Sequence, residues 1–320
     1  MSALANATPD GAVRDAAAAL LSTPPSLPPW LFYDARGTEL FEQITELPEY
    51  YLTRAERSIL DAHADEIVAL AAAGTSQPLH VVELGAGLAT KTQRVLAAVV
   101  ARQGRCLYLP VDVSTSALEQ VVARLAREEP QVTVRPVAGT HTDALPAIRD
   151  LGPRRLVLFV GSSIGNYTDA EAVALLAAVA QTLRPGGALL LGTDRRKDPA
   201  VLLPAYDDAA GVTAAFDLNV LARLNRELGA DFALERWRHE ARWNDAQSRI
   251  EMHLVSTEDQ VVHLPGVGVA RFTAGESIHT ESSVKYDEAH VDRLLSAAGF
   301  TRERTWTDAE GRFDLHLARR

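Results

Sequence analysis

From residue 79 to residue 194 the chain repeats one pattern. A short apolar run rich in β-branched residues gives way to a polar or glycine-bearing turn and then to a longer helical stretch. The apolar runs fall at 79–83, 107–112, 132–137, 155–160 and 188–194, and the helical stretches between them include 115–127 and 170–183. Strands alternating with helices predict βαβ units and a parallel sheet. A helix over 10–22 precedes this region and ends at the breaker cluster Thr23-Pro24-Pro25-Ser26-Leu27-Pro28-Pro29; a second, over 55–73, leads into the first strand.

After Asp194 the alternation pauses. It resumes with a helix over 290–298, a strand over 302–307, the turn Asp308-Ala309-Glu310-Gly311 and a strand over 312–318. The intervening 198–286 therefore reads as an insertion that joins residues 1–74 in a second, substrate-binding domain, with 75–197 and 287–320 forming the core.

The first strand stops at Glu83 and is followed by Gly85-Ala86-Gly87-Leu88-Ala89-Thr90-Lys91-Thr92. Glycines let the backbone pass close to a ligand, and amides at the start of the following helix offer donors to it. Thr90 stands where a dinucleotide fingerprint requires a third glycine, which argues against NAD and for another adenosine ligand. Glu83 before the glycines and Asp112 at the end of the next strand resemble the class I S-adenosylmethionine-dependent methyltransferases. That resemblance implies an α/β, Rossmann-like doubly wound sheet with an antiparallel last strand, and it makes Asp112 the acceptor for ribose hydroxyls. The polar loop Gly161-Ser162-Ser163-Ile164-Gly165-Asn166-Tyr167 follows another strand and belongs at the mouth of the site, because ligands of open α/β sheets sit beyond the carboxyl ends of strands.

Composition narrows the partners. The 320 residues are 47% hydrophobic, enough for a substantial core, and the net charge of −10 argues against a nucleic-acid backbone and for a small-molecule substrate. The single cysteine, Cys106, lies in an apolar strand pattern; it reads as core packing and suits a cytoplasmic location. No secretory signal or membrane span is expected, since the apolar stretch from Leu175 to Leu191 is broken by Gln181, Arg184, Pro185 and two glycines. The nine histidines show no metal-ligand spacing, so no metal is expected.

Only 6% of the chain is aromatic, yet Trp30, Phe32, Tyr33, Phe41, Tyr50 and Tyr51 crowd one segment. Such a cluster is either a cap packing its rings on the core or a lid over a ligand that is or becomes cationic.

Long blocks carry a closer resemblance, nearly end to end. They are Leu31-Phe32-Tyr33-Asp34, Leu47-Pro48-Glu49-Tyr50-Tyr51, Gly161 to Asn166, Ala205-Tyr206-Asp207-Asp208-Ala209-Ala210-Gly211 with Val212 to Asp217, Arg249-Ile250-Glu251-Met252, and Thr280-Glu281-Ser282-Ser283. In these the chain resembles the histidine-specific methyltransferases of the ergothioneine pathway, the EgtD family. The resemblance implies transfer of three methyl groups from S-adenosyl-L-methionine to the α-amine of L-histidine, giving hercynine. It implies that Asn166 and Tyr206 donate to the substrate carboxylate, and that Glu281 and Ser283 bind the imidazole edge. Tyr50 contacts the other side of the ring and Met252 forms a pocket wall, with Gly161 and Ser282 in the same substrate blocks. Tyr33 and Phe41 offer faces to a quaternary ammonium. On the cofactor side it implies Gly85, Gly87, Lys91 and Asp112. Where the family shows an Asp and then an aromatic to meet adenine, this chain has Thr140-His141; a hydroxyl that bonds once and a ring that stacks are expected to hold adenine less tightly.

No Ser/His/Asp arrangement supplies a nucleophile, and methyl transfer requires none. Three other readings stay open: methylation of another amino acid such as tryptophan, methylation of a macromolecule, and a non-catalytic protein that binds S-adenosylmethionine. The pattern does not give the oligomeric state, for which a monomer is plausible, or the proton acceptor.

Overall fold

The computed structural model describes residues 9–74, 76–152, 154–184 and 186–320. Pro185 of the expected turn and Thr75 at the expected domain boundary lie outside them. The chain forms two compact units. One takes the residues up to Tyr50 together with Asp198–Ser282, and the other takes Tyr51–Lys197 with Ser283–Arg320.

In chain order the elements are α1 (Pro9–Ala17), α2 (Ala35–Glu46), α3 (Leu52–Ala71), β1 (His80–Leu84), α4 (Gln93–Gln103), β2 (Cys106–Asp112), α5 (Thr115–Glu128), β3 (Val132–Val134), β4 (Val137–Ala138), α6 (Leu145–Asp150), β5 (Arg155–Phe159), α7 (Asp169–Thr182) and β6 (Ala188–Asp194). They continue with α8 (Pro199–Leu202), α9 (Val212–Leu228), β7 (Trp237–Asn244), β8 (Arg249–Ser256), β9 (Gln260–Leu264), β10 (Gly268–Phe272), β11 (Ser277–Val284), α10 (Glu288–Ala297), β12 (Thr301–Thr307) and β13 (Phe313–Arg319).

The second unit is built on one sheet in the order β12-β13-β6-β5-β1-β2-β3, with β4 also on β2. β1, β2, β5 and β6 run parallel, while β13 inserts antiparallel between β6 and β12. This is the expected doubly wound, Rossmann-like sheet with an antiparallel last strand, closed by a hairpin. Its strands are buried on both faces, β5 at every position, so they read as continuous apolar runs rather than alternating ones. The expected single strand over 132–137 is two short ones. Pro136 has no N–H to give the ladder, and Arg135 instead donates its N–H to the Tyr108 carbonyl at 2.9 Å.

The helix expected over 55–73 is α3, and it belongs to this sheet unit rather than with residues 1–50. Leu52, Ala55, Glu56, Ile59, Leu60, Ala64, Ile67, Val68 and Ala71 are buried at three- and four-residue spacing, and that stripe packs on α4 and β13. The other expected boundary, 286, moves to Ser282.

The first unit has a three-stranded sheet, β11-β8-β7, and a separate β9–β10 hairpin, with α9 packed on β7 and β8. Asp208 fastens the start of α9 by accepting the N–H of Val212 at 3.1 Å and of Thr213 at 2.7 Å. The helix expected over 10–22 is α1 followed by a tighter 3₁₀ turn over Ala18–Leu21. Among the described residues no helix is long and apolar enough to cross a membrane.

Candidate active site

In the sheet unit the glycine turn lies over the carboxyl end of β2, because the N–H groups of Gly85 and Ala86 both donate to the Val111 carbonyl, at 2.9 and 3.0 Å. Gly85 and Gly87 have φ of +73° and +50°, the region where a side chain is strained. α4 does not follow directly. It begins at Gln93, so the residues between the glycines and α4 are loop and not helix start. Thr92, the residue that immediately precedes α4, donates its hydroxyl to Glu83 at 2.5 Å.

Asp112 ends β2 with one carboxylate oxygen accepting the Gly87 N–H at 2.8 Å and the other accepting the Ser114 N–H at 2.9 Å. Burial pushes its carboxyl above the usual carboxylate range. A carboxylate has about four acceptor positions, so this one holds the turn and still suits vicinal hydroxyls. Glu83, buried behind it, takes hydrogen bonds from Thr92 and from the Tyr108 hydroxyl, and burial outweighs them to push it up to about 7.

The residues present fit a nucleoside ligand carrying a charged tail. A Cβ on Gly85 would stand 3.3 Å from His141 Nε2 and 4.0 Å from Ser163 Oγ; one on Gly161 would stand 3.5 Å from Lys91 Nζ and 3.6 Å from Ser163 Oγ. The two glycines thus form a floor among those groups. Lys91 is ion-paired with Glu56, whose other oxygen accepts the Gly161 N–H at 2.8 Å. Glu56 is fully buried and so ties α3, the glycine turn and the 161–167 loop together. No sequence motif singles it out, since it sits among the apolar positions of α3.

His141 is held by Tyr167, with Nδ1 and the phenol oxygen 2.8 Å apart, and meets Phe159 edge-on at 5.0 Å. Burial lowers it to about 4, so it is neutral at physiological pH. Thr140 differs. Its N–H and its hydroxyl both donate to Asp143 Oδ2, at 2.8 and 2.7 Å. The expected adenine-binding hydroxyl is engaged in its own turn, and the carboxylate in this loop is Asp143.

The 161–167 loop carries Asn166 at the end of a 3₁₀ turn, Ser163–Asn166. Ser162, at φ +57°, accepts the Asp194 N–H on its hydroxyl at 2.9 Å. A Cβ on Gly165 would lie 3.0 Å from both the N and the O of Val284, so only glycine lets the 283–284 backbone pass this closely over the loop. That approach brings the Asn166 turn beside Ser283. Ser283 Oγ accepts from Lys285 Nζ at 2.8 Å, and Lys285 pairs with Asp194 at 2.9 Å. Asp194 also accepts from the Tyr51 hydroxyl at 2.8 Å and from Lys197 at 2.6 Å. Burial lowers Lys197 to about 8 despite Asp194.

In the other unit the aromatic residues form one cluster. Ring centroids are 5.8 Å apart for Tyr33–Phe41, 6.2 Å for Phe41–Tyr50 and 6.4 Å for Tyr50–Tyr206. Phe216, from α9, lies 5.9 Å from Tyr33 and 6.0 Å from Phe41, and stacks on Phe32 at 4.5 Å. Phe32 is core, while Tyr33 and Phe41 remain half-buried. Met252 is buried on β8, and its carbonyl accepts the Thr280 hydroxyl at 3.1 Å. That bond sets β11 against β8. The two-residue period of β11 puts Glu281 and Ser283 on one face. Ser282 Oγ instead meets His279 Nε2 at 3.0 Å.

His239, which carries no sequence signal, supports Tyr206. Its Nε2 lies 2.8 Å from the Tyr206 carbonyl and its Nδ1 lies 2.7 Å from Asp217 Oδ2. Both partners are acceptors, so both ring nitrogens carry a proton and the ring is cationic. Burial opposes that charge, but the Asp217 bond and charge and the Tyr206 carbonyl outweigh it and raise the pKa.

Comparison with known proteins agrees with this geometry. Residues 12–320 match the model of a family described as histidine-specific methyltransferase, SAM-dependent. The histidine N-alpha-methyltransferases of Mycolicibacterium smegmatis and Mycobacterium tuberculosis are each 45% identical over 306 residues, 95% of this chain and 94% of the relative. Ergothioneine biosynthesis protein 1 of Neurospora crassa is 32% identical over 92% of this chain and 33% of its own length. A match spanning both units and every substrate and cofactor block, on a sheet closed by an antiparallel hairpin, places this chain in the S-adenosylmethionine-dependent, histidine-specific methyltransferase family.

Proposed function

We propose that this chain transfers methyl groups from S-adenosylmethionine to the α-amine of L-histidine, three in succession, to give hercynine on the ergothioneine pathway. The observation that carries this reading is the family match from residue 12 to residue 320, which takes in every block quoted above.

When bound, S-adenosylmethionine supplies an electrophilic methyl group on a sulfonium. Asp112 takes the ribose hydroxyls, the Gly85 turn and Lys91 flank the methionine end, and His141 meets the adenine. Asn166 and Tyr206 donate to the histidine carboxylate through an amide N–H and a phenol O–H. Glu281 accepts from a ring N–H and Ser283 bonds to the other ring nitrogen. Met252 and Tyr50 close on the ring, while Tyr33 and Phe41 offer π faces to the ammonium as methyls accumulate. An in-line displacement needs orientation and exclusion of water rather than a protein nucleophile, and these residues supply both. A cytoplasmic setting, where thiols stay reduced, suits the buried, unpaired Cys106.

Mass spectrometry after incubation with S-adenosylmethionine and each common amino acid in turn tests this directly. The expected result is a gain of three methyl groups on histidine alone. Gain on another amino acid would keep the methyltransferase and overturn the roles of Glu281 and Ser283.

A further inference from the structure

A buried ion pair is no more stabilising than well-packed apolar residues, so a pair with both side chains out of reach of water needs another reason to be there. Asp194 and Lys285 form such a pair, 2.9 Å apart and fully buried. The same carboxylate accepts from the Tyr51 hydroxyl at 2.8 Å and from Lys197 at 2.6 Å. Lys197 also donates to the Tyr51 oxygen at 2.8 Å, which closes these side chains into one network.

Its members come from separate stretches of the chain, and each stretch ends at a passage between the two units. The passages are Tyr50–Tyr51, Lys197–Asp198 and Ser282–Ser283. Tyr51 and Lys197 are the sheet-unit residues at the first two. At the third stands Ser283, whose Oγ accepts from Lys285 at 2.8 Å. The main chain joins the second and third, since the Tyr286 N–H donates to the Asp194 carbonyl and the Arg196 N–H to the Tyr286 carbonyl, each at 2.9 Å. One residue therefore fastens the chain at all of its passages. Its own N–H adds the loop that carries Asn166, by donating to Ser162 Oγ at 2.9 Å.

Each of these stretches leads to residues assigned to the amino acid. Tyr50 directly precedes Tyr51, Tyr206 follows Lys197 by way of α8, and Glu281 comes just before the Ser282–Ser283 passage. The groups assigned to the cofactor have other supports. Asp112 is held by the N–H groups of Gly87 and Ser114, Lys91 by Glu56, and His141 by Tyr167.

We infer that Asp194 is a positioning residue for histidine and not for S-adenosylmethionine, because it fixes the points from which the substrate-bearing segments leave the sheet unit. This rests on the assignment of Asn166, Tyr206, Glu281 and Ser283 to histidine. Loosening a network that lies wholly within the sheet unit then acts on the amino acid and spares the cofactor residues of that same unit. Misplacement by about 1 Å, caused far from the reacting atoms, is enough to cost up to roughly a hundredfold.

The test cuts one arm of the network at a time. Tyr51→Phe keeps the ring and removes the hydroxyl. Lys285→Met keeps the bulk of the side chain and leaves Asp194 with Lys197 as its counter-ion. Each is expected to raise the KM for histidine about tenfold or more at saturating S-adenosylmethionine. Calorimetry with S-adenosylhomocysteine is expected to give unchanged affinity and stoichiometry. A merely structural network behaves otherwise, because a destabilised protein loses active molecules, so that kcat and the stoichiometry fall while KM stays. That pattern, an equal loss of affinity for both ligands, or an unchanged KM in a folded variant would each overturn the inference. Should Lys285→Met fail to fold, Tyr51→Phe leaves every charge in place and decides alone. A wild-type chain that binds S-adenosylhomocysteine and is inert toward histidine would instead refute the parent assignment, and this one with it.

Discussion

His239 holds Tyr206 from behind, its Nε2–H on the Tyr206 carbonyl at 2.8 Å, while Asp217 takes the proton on its other nitrogen at 2.7 Å. The side chains of His239 and Asp217 are buried, so the charge of the imidazolium is matched where water does not reach it. Because folding raises this pKa, the stabilisation is complete below the unfolded value of about 6.5 and is lost as pH rises through the folded value. His239→Gln is expected to cost roughly 3 kcal/mol at pH 6 and less at pH 9. Urea denaturation of both proteins at the two pH values measures it; an equal cost at both would mean that the ring is neutral.

Glu281→Ala removes the acceptor assigned to the substrate N–H. The expected outcome is a fall in kcat/KM for histidine of about a hundredfold, with S-adenosylhomocysteine binding nearly intact. Parallel loss of cofactor affinity would count against the assignment.

Gly165 is required by proximity and not by a special backbone angle. A methyl group there meets main-chain atoms of Val284 at 3.0 Å, and main chain yields only by moving. Gly165→Ala is expected to displace Ser283 and to lower kcat/KM for histidine roughly ten- to hundredfold, while cofactor affinity changes little. A crystal structure of the variant would show whether the 283–284 segment has shifted.

Glu83 predicts a pH-dependent gain. Its carboxyl ionises near 4.5 when unfolded and near 7 when buried, so across that interval rising pH favours the unfolded chain. Glu83→Gln keeps partners for the Thr92 and Tyr108 hydroxyls without the charge. The variant is expected to gain roughly 2 kcal/mol on the wild type between pH 5 and pH 8. Denaturation midpoints that stay parallel across that range would contradict it.

Periodicity alone determined the sheet order's raw material. Runs at 79–83, 107–112, 155–160 and 188–194 became β1, β2, β5 and β6, and the closing hairpin appeared where a polar turn separated two strand patterns. Gly85, Gly87 and Asp112 were legible because a tight turn and a carboxylate at a strand end leave residue types that stand out in an apolar pattern. The substrate residues were legible only through the long blocks of the family resemblance, since Tyr206 or Glu281 taken singly looks like any helix-flanking aromatic or strand charge. Tertiary structure decided what depends on long-range pairing. α3 joined the sheet unit because its apolar stripe found α4 and β13, and Thr92 at the start of α4 was tied to Glu83 by its hydroxyl. Glu56, Asp194, Lys285 and His239 acquired roles only when folding buried them, because a buried charge must find its partner and those partners lie up to 143 residues away in the chain.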